Sequence, residues 1–243
     1  MPNLYIIAGC NGAGKTTTSY TVLPEMLNCK EFVNADEIAR GLSPFQPETV
    51  SFQAGRIMLK RIKELLSGKN DFGFETTLAT RSYVHLIKQA KKLGYEVVLI
   101  FFWLESVDLA KARVKARVEK GGHNIPTDII ERRYKRGLEN LFAFYKNHSD
   151  KWLIYDNSKE FPVEVAEGTF TFVKHIYNDD LWKKNIGKQM SVADSDQLTR
   201  KITEGVKLAI KRLIERTQKE DGELVISRNG KVVRVKASDL KTE

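Results

Sequence analysis

Residues Gly9-Cys10-Asn11-Gly12-Ala13-Gly14-Lys15-Thr16 match the pattern G-x-x-x-x-G-K-[ST] without departure, and no other stretch constrains the fold as much. The pattern works only between a strand and a helix. Residues 4–8 are apolar and residues 15–27 read as a helix, so both neighbours are present. In that setting main-chain N–H groups converge on a polyphosphate. Glycines at 9, 12 and 14 remove Cβ atoms that would block the approach or forbid the dihedral angles. The start of the following helix adds partial positive charge. The expected nucleotide contacts are Gly9, Asn11, Gly12, Ala13, Gly14, Lys15, Thr16 and Thr17. Lys15 is expected at the β- and γ-phosphates and the Thr16 hydroxyl on Mg²⁺, with ATP or GTP as the phosphoryl donor.

The remaining pattern is βαβα, which implies a mainly parallel sheet wrapped by helices in a three-layer α/β/α fold of the P-loop NTPase type. Strands are expected at residues 31–34, 72–75, 95–104 and, as the last candidate, 151–155. Helices are expected at residues 49–66, 82–93, 106–120 and 126–146, several of them stopped by Gly68, Gly94 or Gly121-Gly122. After about Gly187 the character changes. Leu198, Ile202, Val206, Ala209, Ile210, Leu213 and Ile214 place one apolar stripe on a long helix, which either packs on the core or makes a dimer. Residues 224–235 follow as a β-hairpin around Asn229-Gly230, the pair that supplies the positive φ values of a type I′ turn. The chain therefore divides into a kinase-like core, residues 1–187, and a C-terminal appendage, residues 188–243, in which no chemistry is visible.

Composition narrows the partners. The 243 residues carry a net charge of +9, and no basic run is interleaved with aromatics, so nucleic acid is not the expected ligand. A nucleoside triphosphate and a small hydroxylated acceptor are. The longest apolar run, residues 97–104, falls well short of the roughly 20 residues that cross a bilayer, so no membrane partner is expected. Met1-Pro2-Asn3 carries no basic n-region of a signal peptide. There are two cysteines, and one, Cys10, lies inside the phosphate loop, where a disulfide would be awkward. A reducing, cytoplasmic setting fits that usage.

Three features around the loop favour phosphoryl transfer over a motor or a switch. Asp36 ends the second expected strand, on the side where open α/β sheets bind ligands, and a carboxylate there can take the proton of an acceptor hydroxyl. It can equally cap a short helix beginning at Glu37. Glu75 follows Phe72-Gly73-Phe74 and so needs a partner. It and Thr77 are expected to bind the acceptor, with Glu75 alternatively holding Mg²⁺ through water, although Thr77 or Thr80 can also start the next helix. Arg113 and Arg117 share one helix face, Gly121-Gly122 form a hinge with His123 as a hinge residue, and Arg132, Arg133 and Arg136 follow. This resembles the arginine-bearing lid of a small kinase, which shields the γ-phosphate from water and supplies positive charge. Arg117 and one of Arg132 or Arg133 are the expected phosphate contacts. No strand ends in a Walker-B aspartate, since residues 95–104 run into Glu105.

Taken in order, the phosphate loop, Asn34-Ala35-Asp36, Phe74-Glu75-Thr76-Thr77, Arg113 with Arg117, Gly121-Gly122-His123-Asn124-Ile125-Pro126 and Arg132-Arg133-Tyr134 resemble the zeta-toxin family over roughly residues 3–160. The Gly-Gly-His-Asn-Ile-Pro loop resembles its chromosomal branch. The resemblance implies a kinase acting on the 3′-hydroxyl of the sugar in UDP-N-acetylglucosamine or a related nucleotide sugar. Lys15 and Thr16 would hold nucleotide and Mg²⁺, Asp36 would be general base, Glu75 and Thr77 would touch the acceptor, and Arg117, Arg132 and Arg133 would stabilise the phosphoryl group. It also implies an antitoxin protein as a partner. The alternatives are a polynucleotide or other small-molecule kinase on the same fold, and a nucleotide-hydrolysing switch.

Overall fold

In the computed structural model, residues 1–122, 124–170, 172–185 and 197–240 are described. Seven strands form one sheet in the order β2-β3-β1-β4-β5-β6-β7. These are β1 (Asn3–Gly9), β2 (Glu31–Val33), β3 (Phe72–Thr76), β4 (Glu96–Trp103), β5 (Lys151–Asp156), β6 (Val163–Thr169) and β7 (Val173–Ile176). The pairings among β1 to β5 are all parallel, as the alternation of strands and helices predicts. β6 and β7 add antiparallel at the far edge, where residues 151–155 were expected to be the last strand of the core. The alternation in Val163-Glu164-Val165-Ala166-Glu167-Gly168-Thr169 is broken by Ala166 and Gly168, and the ladder itself shifts register between Glu167 and Gly168. A strand of that kind carries little period-two signal.

The two faces of the sheet bury different helices. Leu4, Ile6 and Ala8 of β1 pack with α3 (Ser51–Ser67) and α4 (Ser82–Lys92). Tyr5 and Ile7 point the other way, onto α1 (Lys15–Thr21), α5 (Val107–Glu119), α6 (Thr127–Asn140) and α8 (Gln197–Lys219). Two short helices, α2 (Ala35–Leu42) and α7 (Asp179–Asn185), complete the set. The helix expected over residues 15–27 is regular only to Thr21. Pro24 has no N–H to donate and crowds the preceding turn, and the chain widens into a π-turn closed by Leu27 N to the Val22 carbonyl at 3.1 Å.

The apolar stripe of α8 lies on the core. Ile202 and Val206 are within 1% of complete burial and belong to the same cluster as Ile7, Ile100 and Phe102. Gly205 lets the helix approach the π-turn that follows α1, since a Cβ there would stand 2.9 Å from Val22 Cγ2. The hairpin forms as β8 (Glu223–Arg228) and β9 (Lys231–Lys236), with Asn229 and Gly230 both at positive φ, 54° and 74°. Val225 joins the core cluster, and Arg113 on α5 donates to its carbonyl at 2.7 Å. Among the described residues no helix is long and apolar enough to cross a membrane.

Candidate active site

The phosphate loop leaves the C-terminal end of β1, the central position of the parallel sheet, and enters α1 at Lys15. Two glycines are obligatory on steric grounds. A Cβ on Gly9 would stand 2.3 Å from the Phe102 carbonyl oxygen of the neighbouring strand, and Gly14 sits at φ +84° with the Asn157 amide against it. Asn157, just beyond β5, donates to the Ala13 carbonyl at 2.9 Å and braces the loop from behind. Lys15 donates to the Cys10 carbonyl at 2.9 Å, so its ammonium folds back over the loop. Burial pushes the Cys10 thiol up to about 11, which keeps it protonated and inert at neutral pH.

Glu75 is the hub of the site. At the end of β3, with its side chain only 9% exposed, it faces Lys15 Nζ at 3.4 Å. One of its oxygens accepts from the Thr16 hydroxyl at 2.6 Å and from Asn34 Nδ2 at 2.9 Å. The partner that a carboxylate after two phenylalanines requires is thus supplied three times over. Asn34 works in both directions, because its Oδ1 accepts the Asp36 N–H at 2.8 Å and caps α2. This corrects the reading of Asp36 as cap of a helix starting at Glu37. The helix starts at Ala35, Asn34 is its cap, and the Asp36 carboxylate stays exposed in the helix's first turn.

A cavity of about 690 Å³ opens over these groups. Lys15, Thr16, Asp36, Arg40 and Glu75 line one part of it, together with Asn11, Gly12, Gly14 and Thr17 of the loop. Gly9 and Ala13 are buried and shape the loop from within. Arg117 lines the cavity and is exposed. Arg133, on α6, reaches the loop by donating to Asn11 Oδ1 at 3.4 Å. Burial lowers its guanidinium from the ordinary value, the charge of Asp36 opposes that, and neighbouring Arg132 adds to the drop. Arg132 is exposed, Thr77 is half-buried, and neither lines the cavity. The Thr77 carbonyl faces α6 closely, where Gly137 leaves room for it. His123 lies outside the described residues.

Arg113 departs from the lid reading. It donates to the carbonyls of Val225 at 2.7 Å, Asn157 at 2.7 Å and Ser158 at 3.3 Å, and burial lowers it to about 10. A buried guanidinium spent on three carbonyls is a brace. Asn34, Asn157 and Arg113 are the residues whose work sequence reasoning missed. Only Asn34 left a signal, as an Asx residue between a strand and an acidic first turn.

Among the described residues no cluster of three or more His, Cys, Asp or Glu side chains is arranged to hold a metal ion. The Thr16 hydroxyl beside Glu75 nevertheless offers hard oxygen donors, which suits Mg²⁺ because that ion takes one or two protein oxygens and completes its shell with phosphates and water.

Set beside known proteins, residues 1–163 match the family model described as Zeta toxin. Residues 190–242 match a second model, a domain of unknown function (DUF8506). An uncharacterized protein of Haemophilus influenzae is 32% identical over 127 residues, covering 52% of this chain and 88% of that one. Among solved structures, the AvrRxo1-ORF1:AvrRxo1-ORF2 complex with sulphate ions superposes with a TM-score of 0.63 at 17% identity, over 87% of this chain and 76% of that one. The same pair with ATP gives 0.61 at 16% identity, again over 87% and 76%. A structure of the PezAT chromosomal toxin–antitoxin system of Streptococcus pneumoniae gives 0.56 at 18% identity, over 88% of each chain. At these identities the solved structures speak for a shared fold.

Proposed function

This chain belongs to the zeta toxin family of P-loop kinases, and on that premise we propose that it transfers the γ-phosphoryl group of ATP to a sugar hydroxyl of a nucleotide sugar of the UDP-N-acetylglucosamine type. The observation that carries the reading is the pair of carboxylates at the phosphate end of one cavity, Glu75 tied to Lys15 and Thr16, and Asp36 exposed beside them. The AvrRxo1-ORF1:-ORF2 structure that contains ATP supports ATP as donor, and the PezAT toxin–antitoxin system makes an antitoxin a candidate partner here.

In this mechanism the loop amides and Lys15 hold the triphosphate, and Arg133 approaches from α6 to offset charge on the γ-phosphoryl oxygens. Arg117 completes the positive rim. Asp36 accepts the proton of the acceptor hydroxyl. As it does so, the hydroxyl oxygen forms its bond to the γ-phosphorus, the bond to the β-bridging oxygen breaks, and ADP leaves. Glu75 orients the acceptor and, with the Thr16 hydroxyl, would hold Mg²⁺ directly or through water. When bound, that ion would supply neutralisation of the phosphate charge.

Incubation of the purified protein with γ-labelled ATP, UDP-N-acetylglucosamine and RNA tests the reading. Label in the sugar nucleotide is expected. Label confined to free phosphate favours the hydrolysing switch, label in RNA favours a polynucleotide kinase, and either result removes the nucleotide-sugar acceptor.

A further inference from the structure

The cavity over the phosphate loop is larger than a triphosphate requires, and its second part is built from the C-terminal elements. Past Gly12 and Gly14 its walls are Lys120 to Gly122 at the end of α5 and Lys159 and Glu160 in the loop after β5. Beyond those it is lined by Ile210, Leu213 and Thr217 of α8 and by Leu224 of β8. Leu213 and Leu224 are half-exposed apolar side chains that pack against a common cluster around Ile210, Ile214 and Leu240. Glu160 and Glu220 also line the cavity. Glu160 is paired with Arg228 at 2.6 Å, and Lys120, Lys159 and Arg216 share the rim. An apolar floor with a carboxylate acceptor on a mixed-charge rim, continuous with a phosphate cradle, has the chemistry of a nucleobase site. The flat face of a base is apolar and its amino edge donates hydrogen bonds.

The wall is fixed relative to the cradle. Arg113 joins the Val225 carbonyl of β8 to the Asn157 and Ser158 carbonyls of the loop that braces Ala13. A second bond runs from Ser227 N to the Ser158 carbonyl at 2.8 Å. Arg234 of β9 holds both carboxylate oxygens of Glu119, at 2.9 and 2.7 Å, beside the Gly121-Gly122 turn. The hairpin is therefore tied to the loop after β5 and to the end of the first lid helix at once.

We infer that residues 197–240 form the nucleoside wall of the donor site, with the base of the triphosphate packed on Leu213 and Leu224 and its amino edge turned to Glu220. This rests on the reading of residues 9–16 as the cradle of a nucleoside triphosphate. The kinase core supplies the phosphate half of the donor site and the C-terminal elements the base half.

Calorimetric titration of the full-length protein with ATP and, separately, with inorganic tripolyphosphate, both with magnesium, tests this. Wild type is expected to prefer ATP. Leu213→Asp is expected to weaken ATP at least tenfold and to leave tripolyphosphate within about twofold, because the cradle is untouched. Should Leu213→Asp fail to fold, as judged by thermal unfolding, Leu224→Ala is expected to lower the ratio of ATP to tripolyphosphate affinity about threefold or more. Folded variants that keep the wild-type ratio overturn the inference. Wild type that binds both probes with equal affinity overturns it alone, whereas wild type that binds neither overturns the kinase reading as well.

Discussion

Asp36 and Glu75 lie in one cavity, yet their surroundings give them different tasks. Glu75 is fixed in place by Lys15, Thr16 and Asn34, so its charge is held at the phosphate end, where it can position rather than accept a proton. Asp36 is exposed, is relieved of capping by Asn34, and lends its charge to Arg133. Replacing Asp36 by Asn preserves shape and helix and removes only the proton acceptor. Asp36→Asn is therefore expected to keep ATP affinity within a few-fold and to lose about 10²–10⁴-fold in transfer, the span usual for a general base. Single-turnover measurements with label in the acceptor check this, and wild-type transfer by the variant removes Asp36 from the base role. Much of this site was legible in the sequence because its glycines and its strand-end carboxylates are dictated by local chemistry. Arg113 was not. Its carbonyl partners sit 44, 45 and 112 residues away in the chain, and a helix-face pattern cannot tell a phosphate contact from a brace.

Among elements, the contact between α8 and the π-turn after α1 is set by one absent side chain. In most helices Gly→Ala gains about 1 kcal/mol from backbone propensity. At position 205 the added Cβ would stand 2.6 Å from Met26 Cγ and 2.9 Å from Val22 Cγ2. Met26 can turn aside, but Val22 is branched and held in the core, so overpacking of about 1–3 kcal/mol should win. Gly205→Ala is expected to lower the urea midpoint, and a raised midpoint would show that the two helices separate easily. The seat of β8 has its own signature. Glu105 accepts from the Ser227 hydroxyl, and burial together with Asp156 raises it above the usual carboxylate range. Asp156 is raised by burial too, partly offset by the Ser158 hydroxyl and amide that donate to it. Carboxyls that hold their protons more tightly when folded contribute stability that is complete below their unfolded pKa and is lost as pH rises through their folded values. Asp156→Asn keeps the acceptor for Ser158, so its stability should fall less than that of wild type between pH about 4 and neutrality. Denaturation curves at stepped pH decide this, and parallel losses would count against it. The sequence showed the hairpin at residues 224–235 through Asn229-Gly230, a turn signal read over two residues. It did not show β6 and β7, whose pairing depends on a bulged ladder.

For the molecule as a whole, we propose that the boundary drawn after residue 187 separates two sequence families but not two cores. Ile202 is 0% exposed and shares its cluster with Ile100 of the central strand, which is 1% exposed. Ile202→Ala and Ile100→Ala are thus expected to destabilise one and the same unfolding transition, each by about 2–5 kcal/mol. Two separate thermal transitions, with only the smaller shifted by Ile202→Ala, would contradict a shared core. One feature of this packing bears on how the protein is made. The helix α8, which completes the cover of Tyr5, Ile7 and Phe102, begins at Gln197, so a ribosome has already synthesised the phosphate loop and all seven strands of the main sheet before it starts to make that part of the cover. During that interval an apolar flank stands bare, which invites chaperones or self-association. A translation product cut short before residue 197 would keep the entire Lys15–Thr16 signature and still lack Ile202 and Val206, two fully buried members of its core.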